Sequence, residues 1–185
     1  MKKLLLSAVL AASFVAISAN AATTSNGTIT INGKVVSSTC NVAVNGSQNA
    51  TITLPTYDTN TLLSGVSAGW TPVTMSLTGC TAVTGQTQVF PYFTGTSIDT
   101  TSGYLKNATG AGNSNVEVAF STTQSIAGAL SLQNASGAQG AGTALLPTTG
   151  TNNPSFTYYA GYIAFGANAT AGAVNTNVQY ALNYQ

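Results

Sequence analysis

Thr28-Ile29-Thr30-Ile31-Asn32-Gly33-Lys34-Val35-Val36 is the stretch on which the reading of this 185-residue chain turns. Its side chains alternate. A strand has a period of two, which puts Ile29, Ile31 and Val35 on one face together with Gly27 and Gly33, and Thr28, Thr30, Asn32 and Lys34 on the other. The six residues before it, Ala22 to Gly27, are small and polar. Asn32-Gly33 is also a strong hairpin signal, so the local residues admit either an ordinary hairpin or a single long strand.

Upstream of this strand the chain opens Met1-Lys2-Lys3, runs through an apolar stretch from Leu4 to Ile17 and reaches Ala19-Asn20-Ala21. A short basic start, an apolar middle and a small-residue end are the three parts of a secretory signal peptide. The apolar run is shorter than the roughly 20 residues that span a bilayer. Residues 1–21 are therefore expected to be a cleaved signal peptide, with the mature chain starting at Ala22 and passing into an exported compartment. What remains is long enough for one domain with a hydrophobic core.

Beyond the signal the only charged residues are Lys34, Lys106, Asp58, Asp99 and Glu117, and the chain has no histidine. Binding to nucleic acid or to anionic lipid needs clusters of Lys or Arg, and two isolated lysines do not supply them. Nucleic acid is excluded as a principal partner. Catalysis fares no better, because without His or Arg no common nucleophile and base pair can be assembled, and three scattered acids read as turn or surface residues. The expectation is a protein that is not an enzyme and holds no cofactor. Metal binding is also unsupported, since two cysteines without histidine make no plausible ligand set.

Runs with strand character recur at Ala50–Leu54, Val73–Leu77, Val89–Phe93, Val116–Phe120, Leu130–Leu132, Phe156–Phe165 and Val178–Tyr184. Helical periodicity never extends beyond a turn or two. Short alternating runs rich in Val, Ile, Phe and Tyr, separated by Gly, Asn and Ser, predict an all-β sandwich or barrel. Residues 137–142 and 148–154 read as loops within one domain. Cys40 and Cys80 are the only cysteines, and an even count behind an export signal is expected to give one disulfide.

Taken together, these residues resemble a chaperone–usher fimbrial (pilus) subunit of the type 1 fimbrial group. Four features carry the resemblance across residues 22–185. The extension from Ala22 through Val36 resembles the donor segment of these subunits, with Gly33 where the family has its donor-strand glycine. Cys40 and Cys80 sit at a spacing like that of the family's disulfide between its first two strands. Val178, Tyr180, Leu182 and the penultimate Tyr184 alternate at the C-terminus, and Gly172 is the fourteenth residue counted back from Gln185.

The resemblance implies an incomplete immunoglobulin-like sandwich, residues 37–185, completed by a donor strand from another subunit's residues 22–36. Gly27, Ile29, Ile31, Gly33 and Val35 would be inserted. The acceptor groove, and the contact with a periplasmic chaperone, would involve Gly172, Val178, Tyr180, Leu182, Tyr184 and Gln185. It also implies an outer-membrane usher, identical or related subunits as polymer partners, and a fimbrium at the cell surface that supports adhesion, with a host-surface receptor as a further partner.

A minor adaptor or a carbohydrate-binding adhesive subunit of the same fimbria is the alternative, because Trp70, Tyr57, Tyr92, Tyr158, Tyr159 and Tyr162 could stack on sugars. Core packing and groove lining are the stronger expectation for them. The sequons at Asn26, Asn45, Asn49, Asn107, Asn134 and Asn168 are read as chance in a chain so rich in Asn, Thr and Ser.

Overall fold

The structure, a computed structural model, describes residues 40–81, 84–110 and 112–185. The alternating stretch 28–36 and the segment 1–21 lie outside these residues. Among the described residues the regular structure is strand, apart from a single 3₁₀ turn at Ile126–Gly128. The strands are β1 (Asn41–Val44), β2 (Ser67–Thr78), β3 (Cys80–Thr81), β4 (Gln88–Thr94), β5 (Leu105–Lys106), β6 (Glu117–Ser121), β7 (Ala144–Leu145), β8 (Thr151–Asn152), β9 (Ser155–Ile163) and β10 (Gln179–Tyr184).

They form a five-stranded sheet in the order β1-β2-β9-β6-β5, a three-stranded sheet in the order β10-β4-β7, and the short pair β3-β8. Every pairing between these strands is antiparallel. The two larger sheets face each other across an aromatic core. Phe93 of β4 meets Phe120 of β6 and Tyr158 of β9 edge to face, with centroids 5.1 and 5.4 Å apart. Met75, Leu77, Val89 and Leu130, each at most 2% exposed, fill the space around them. The alternation that signals a strand in the sequence is here the alternation of buried and solvent-facing positions, clearest in β2 and β9.

The five longest strands fall where alternation predicts, with ends shifted by a few residues. Two of the expected strands are not strands. Leu130 and Leu132 are buried, but their backbone is irregular: the Leu130 amide donates to Phe120 O at 2.7 Å and the Leu132 amide to Gly103 O at 3.3 Å. Burial, not pairing, put apolar residues there. Ala50–Leu54 pairs with no described strand, although Ile52 and Leu54 pack half-buried against the core. In the other direction, the predicted loop 148–154 contains β8, which pairs Asn152 with Cys80 and Thr151 with Thr81.

The 137–142 loop also carries a structural residue. Gln139 is only 3% exposed, and its side chain imitates a neighbouring strand. Its Oε1 accepts from the Phe93 amide at 2.9 Å, and its Nε2 donates to the carbonyls of Phe93 (2.7 Å), Leu132 (2.8 Å) and Asn134 (3.2 Å). β7 covers β4 only at Gln88 and Val89, so farther along this edge an amide side chain supplies what a strand would. Pro91, which has no amide to donate, sits on the same stretch. Gln139→Leu would leave the Phe93 amide and carbonyl buried without partners. The expected loss is about 2–4 kcal/mol, read as a lower urea midpoint at unchanged slope.

Candidate functional site

Among the described residues the sandwich is open along β10. β10 is the edge of its sheet, bonded to β4 from Gln179↔Thr94 to Tyr184↔Val89 and to no other described strand. Facing it across the gap is the unpaired segment 48–54. Between them lie two cavities of about 650 and 510 Å³ that share Ala50, Ile52, Phe120 and Val178, and so form one groove.

Each wall has a local cause. Segment 48–54 follows a tight turn after β1, in which Asn45 takes φ +45° and the Val44 and Ser47 backbones exchange hydrogen bonds. Its Thr-Ile-Thr-Leu alternation keeps it extended, with Ile52 and Leu54 directed at the core. The other wall, 174–180, leads into β10. Met75, Phe93, Phe120 and Tyr158 line one cavity, while Leu105, Val118, Ala160 and Tyr162 line the other.

None of the described residues lining the groove is charged. The buried hydroxyl of Tyr158 donates to Ala141 O at 2.6 Å, and burial pushes its ionisation far above the usual tyrosine range; Thr176 Oγ1, on the groove wall, is buried as well. Partial burial raises Tyr162 as well. Such a groove suits an uncharged extended segment with apolar side chains on one face.

At one end the walls are tied together, because the Tyr180 hydroxyl donates to the Gln48 carbonyl at 2.8 Å. Past Val174 and Tyr162 the groove adjoins a third cavity of about 510 Å³ lined in part by Tyr57, Asp58, Leu62, Val116 and Gly172.

The residues expected from the sequence fall as follows. Val178 and Tyr180 line the groove. Leu182 and Tyr184 are half-buried against the core along β10 and line neither groove cavity. Gln185 is anchored to the start of β4, its amide donating to Gln88 O at 2.9 Å and its carbonyl accepting from the Gln88 amide at 2.8 Å.

Gly172 lies beyond the groove, in the adjoining cavity. A Cβ there would stand 2.4 Å from the backbone of Asn113 and Ser114, so glycine is required by close approach of two segments of the chain. The donor residues Gly27, Ile29, Ile31, Gly33 and Val35 are outside the described residues.

Cys40 and Cys80 are bonded, joining the residue before β1 to the first residue of β3, just past the end of β2. Sequence reasoning missed the wall residues Gln48–Leu54 as such; their alternation was visible, but it said strand and not unpaired wall.

Of the aromatics weighed as sugar platforms, Tyr158 is core, at 1% exposure, and Trp70 packs against Gly161, where a Cβ would come within 2.6 Å of its ring. Only Tyr57 among them is counted with the exposed large side chains, at 47%. Asp99 and Glu117 lie near each other, both accepting hydrogen bonds from Ser102. Asp99 accepts from the Thr101 and Ser102 amides, which hold its carboxyl below the usual range, and lies 3.6 Å from Lys106. Burial raises Glu117, whose carboxylate accepts from the Ser102 hydroxyl at 2.6 Å.

The sequence matches the family described as type-1 fimbrial protein, A, over residues 54–185. It is 39% identical over 174 residues to an F17 fimbrial protein of Escherichia coli, covering 92% of this chain and 93% of the relative. It is 34% identical over 169 residues to the major fimbrial subunit SMF-1 of Stenotrophomonas maltophilia (strain K279a), covering 89% and 95%.

Among solved structures, a chaperone–usher pilus chain superposes with a TM-score of 0.54 at 18% identity, covering 87% of this chain and 96% of that one. The P pilus rod subunit PapA superposes with a TM-score of 0.54 at 17% identity, covering 80% and 100%. At these identities the two structures speak to fold alone, and the fold they share with this chain is the immunoglobulin-like pilin sandwich. The chain belongs to the type-1 fimbrial protein family, as a structural subunit that polymerises with other pilin subunits into a cell-surface fimbrium.

Proposed function

We propose that the groove between segment 48–54 and residues 174–180 is the acceptor site for the N-terminal extension, residues 22–36, of another copy. The observation that carries this reading is an uncharged, aromatic-floored groove running beside the unpaired side of an edge strand. An extended segment laid there gains ladder hydrogen bonds from the edge and sends alternate side chains into the cavities, which is binding by strand addition. Gly27, Ile29, Ile31, Gly33 and Val35 form the inserted face. Each of the three branched side chains contributes roughly 1.5–3 kcal/mol on burial.

An exposed apolar groove beside an open edge recruits any extended chain. A periplasmic chaperone that lends a strand to it, and an outer-membrane usher where strands are exchanged, answer that hazard. In this reading residues 1–21 direct export and are removed, residues 37–185 form the pilin domain, and Tyr184 and Gln185 lie at the chaperone's anchoring end. The finished fimbrium serves attachment of the cell to surfaces.

Deleting residues 22–36 tests the reading. The truncated subunit should remain monomeric or chaperone-bound in periplasmic extracts analysed by size exclusion, since it keeps an acceptor and has no donor. Long polymers of the truncated subunit would refute it.

A further inference from the structure

Among the described residues five large apolar side chains are exposed: Tyr57, Leu63, Val66, Phe165 and Leu145, at 47, 48, 39, 48 and 70%. The strand registers sort them. Ser67 pairs with Ile163 and Glu117 pairs with Ile163, so the start of β2, the end of β9 and the start of β6 share one pole of the sandwich. Leu63, Val66 and Phe165 stand there, where the Gly65 amide donates to Ala164 O at 2.7 Å and the Ala164 amide to Val66 O at 3.1 Å. Tyr57 lines the adjoining cavity with Leu62.

Asn41 pairs with Thr78, which puts Cys40, the end of β2 and Cys80 at the opposite pole. Leu145 belongs to that second pole. Its carbonyl accepts from Asn152 Nδ2 at 2.9 Å, and Asn152 is the pairing partner of Cys80.

We infer that subunit bodies in the fibre stack pole to pole, the Leu145 face beside the Cys40–Cys80 bridge of one copy seating on the Leu63–Val66–Phe165 face of the next. The inference rests on the donor-strand reading above. Under that reading the donor strand ends at Val36 and its own domain begins at Cys40, a tether of no more than about 14 Å. The donor's body, led by its Cys40 pole, must therefore lie against the end of the groove where its strand emerges.

The groove's own geometry chooses that end. Tyr180 and Gln48 tie the walls at one end, whereas the other continues to the cavity of Tyr57, Leu62 and Gly172, at the pole with the exposed Leu63, Val66 and Phe165. A single tethered strand would leave successive bodies free to swivel, and a second, apolar contact fixes their angle. The contact is heterologous and repeats head to tail without closing, as a filament requires.

Charge agrees. Asp58, Asp99, Glu117 and Lys106 all lie toward the groove's open pole, three acids against one base, with Lys106 3.6 Å from Asp99. Lys34, on the outward face of the donor strand two residues before Val36, arrives at this acidic pole.

The test uses fibres of the full chain carrying Leu63→Asp or, separately, Leu145→Asp, both at exposed positions. A photo-crosslinking residue at position 31 reports on the donor strand in the same fibres. Both variants are expected to keep the crosslink to the groove walls while electron microscopy shows straight segments lost and persistence length reduced severalfold. The double variant Leu63→Asp/Leu145→Lys should recover straightness. Single variants as straight as the parent, with the crosslink intact, would overturn the stacking and leave the donor-strand reading standing. Absence of the crosslink in the parent fibre would overturn both.

Discussion

Ile31→Asp subunits are expected to be exported and to fold, yet to add very poorly to a growing fibre, while Thr30→Asp subunits assemble nearly as the parent does. The two residues are neighbours, and only the strand period separates them. In the proposed joint residue 31 belongs to the inserted face, and the described residues lining the groove offer no basic side chain to receive a carboxylate. Its desolvation costs several kcal/mol unless the acid binds a proton, enough to lower the joint's equilibrium constant by orders of magnitude. In the same reading residue 30 faces outward, where a carboxylate stays hydrated. Heat-stable polymer on a gel measures the contrast. Equal assembly of the two variants would mean that the facing is wrong.

The second large effect is expected from the disulfide. Replacing Cys40 and Cys80 by Ala should lower domain stability by roughly 4 kcal/mol in the chain-entropy model, for a loop whose ends are 40 residues apart. Denaturant midpoints of the variant and the parent measure it.

Location adds a functional cost. Among the described strands β1 is an edge strand paired only with β2, and the groove wall 48–54 follows directly from it. When the bridge at its start is lost, β1 frays and the wall moves with it. Donor-strand capture should therefore weaken more than the stability loss alone implies. Labelling of the denatured, unreduced parent should find no free thiol among its two cysteines.

What could be read from the sequence follows from what each residue was doing. β2, β9 and β10 were legible because one face of each is buried and the other wetter, so apolar residues fall on alternate positions, whereas β4 and β6, buried on consecutive residues, were legible as short apolar runs. The two-residue strands at Cys80–Thr81, Leu105–Lys106, Ala144–Leu145 and Thr151–Asn152 are too short to show any period.

Leu130–Leu132 misled for the opposite reason, since apolar residues mark burial whether or not a ladder exists. The role of Gln139 had no sequence signal at all; a glutamine between glycines reads as loop until the unmet backbone of Phe93 is seen beside it. At the groove, β10 was legible and its unpaired partner wall was not. Alternation in Ala50–Leu54 reports that one face is buried and is silent on whether hydrogen bonds join it to a neighbour.

The groove's occupant is the central claim, and a photo-reactive residue at position 31 of the full-length subunit tests it most directly. In assembled fibres, irradiation followed by peptide mapping should place its crosslinks between subunits, on segment 48–54 and residues 174–180 or on Met75, Phe93, Phe120 and Tyr158 between those walls. Crosslinks confined to the subunit's own chain, or to the far edges at β5 and β7, would contradict the account.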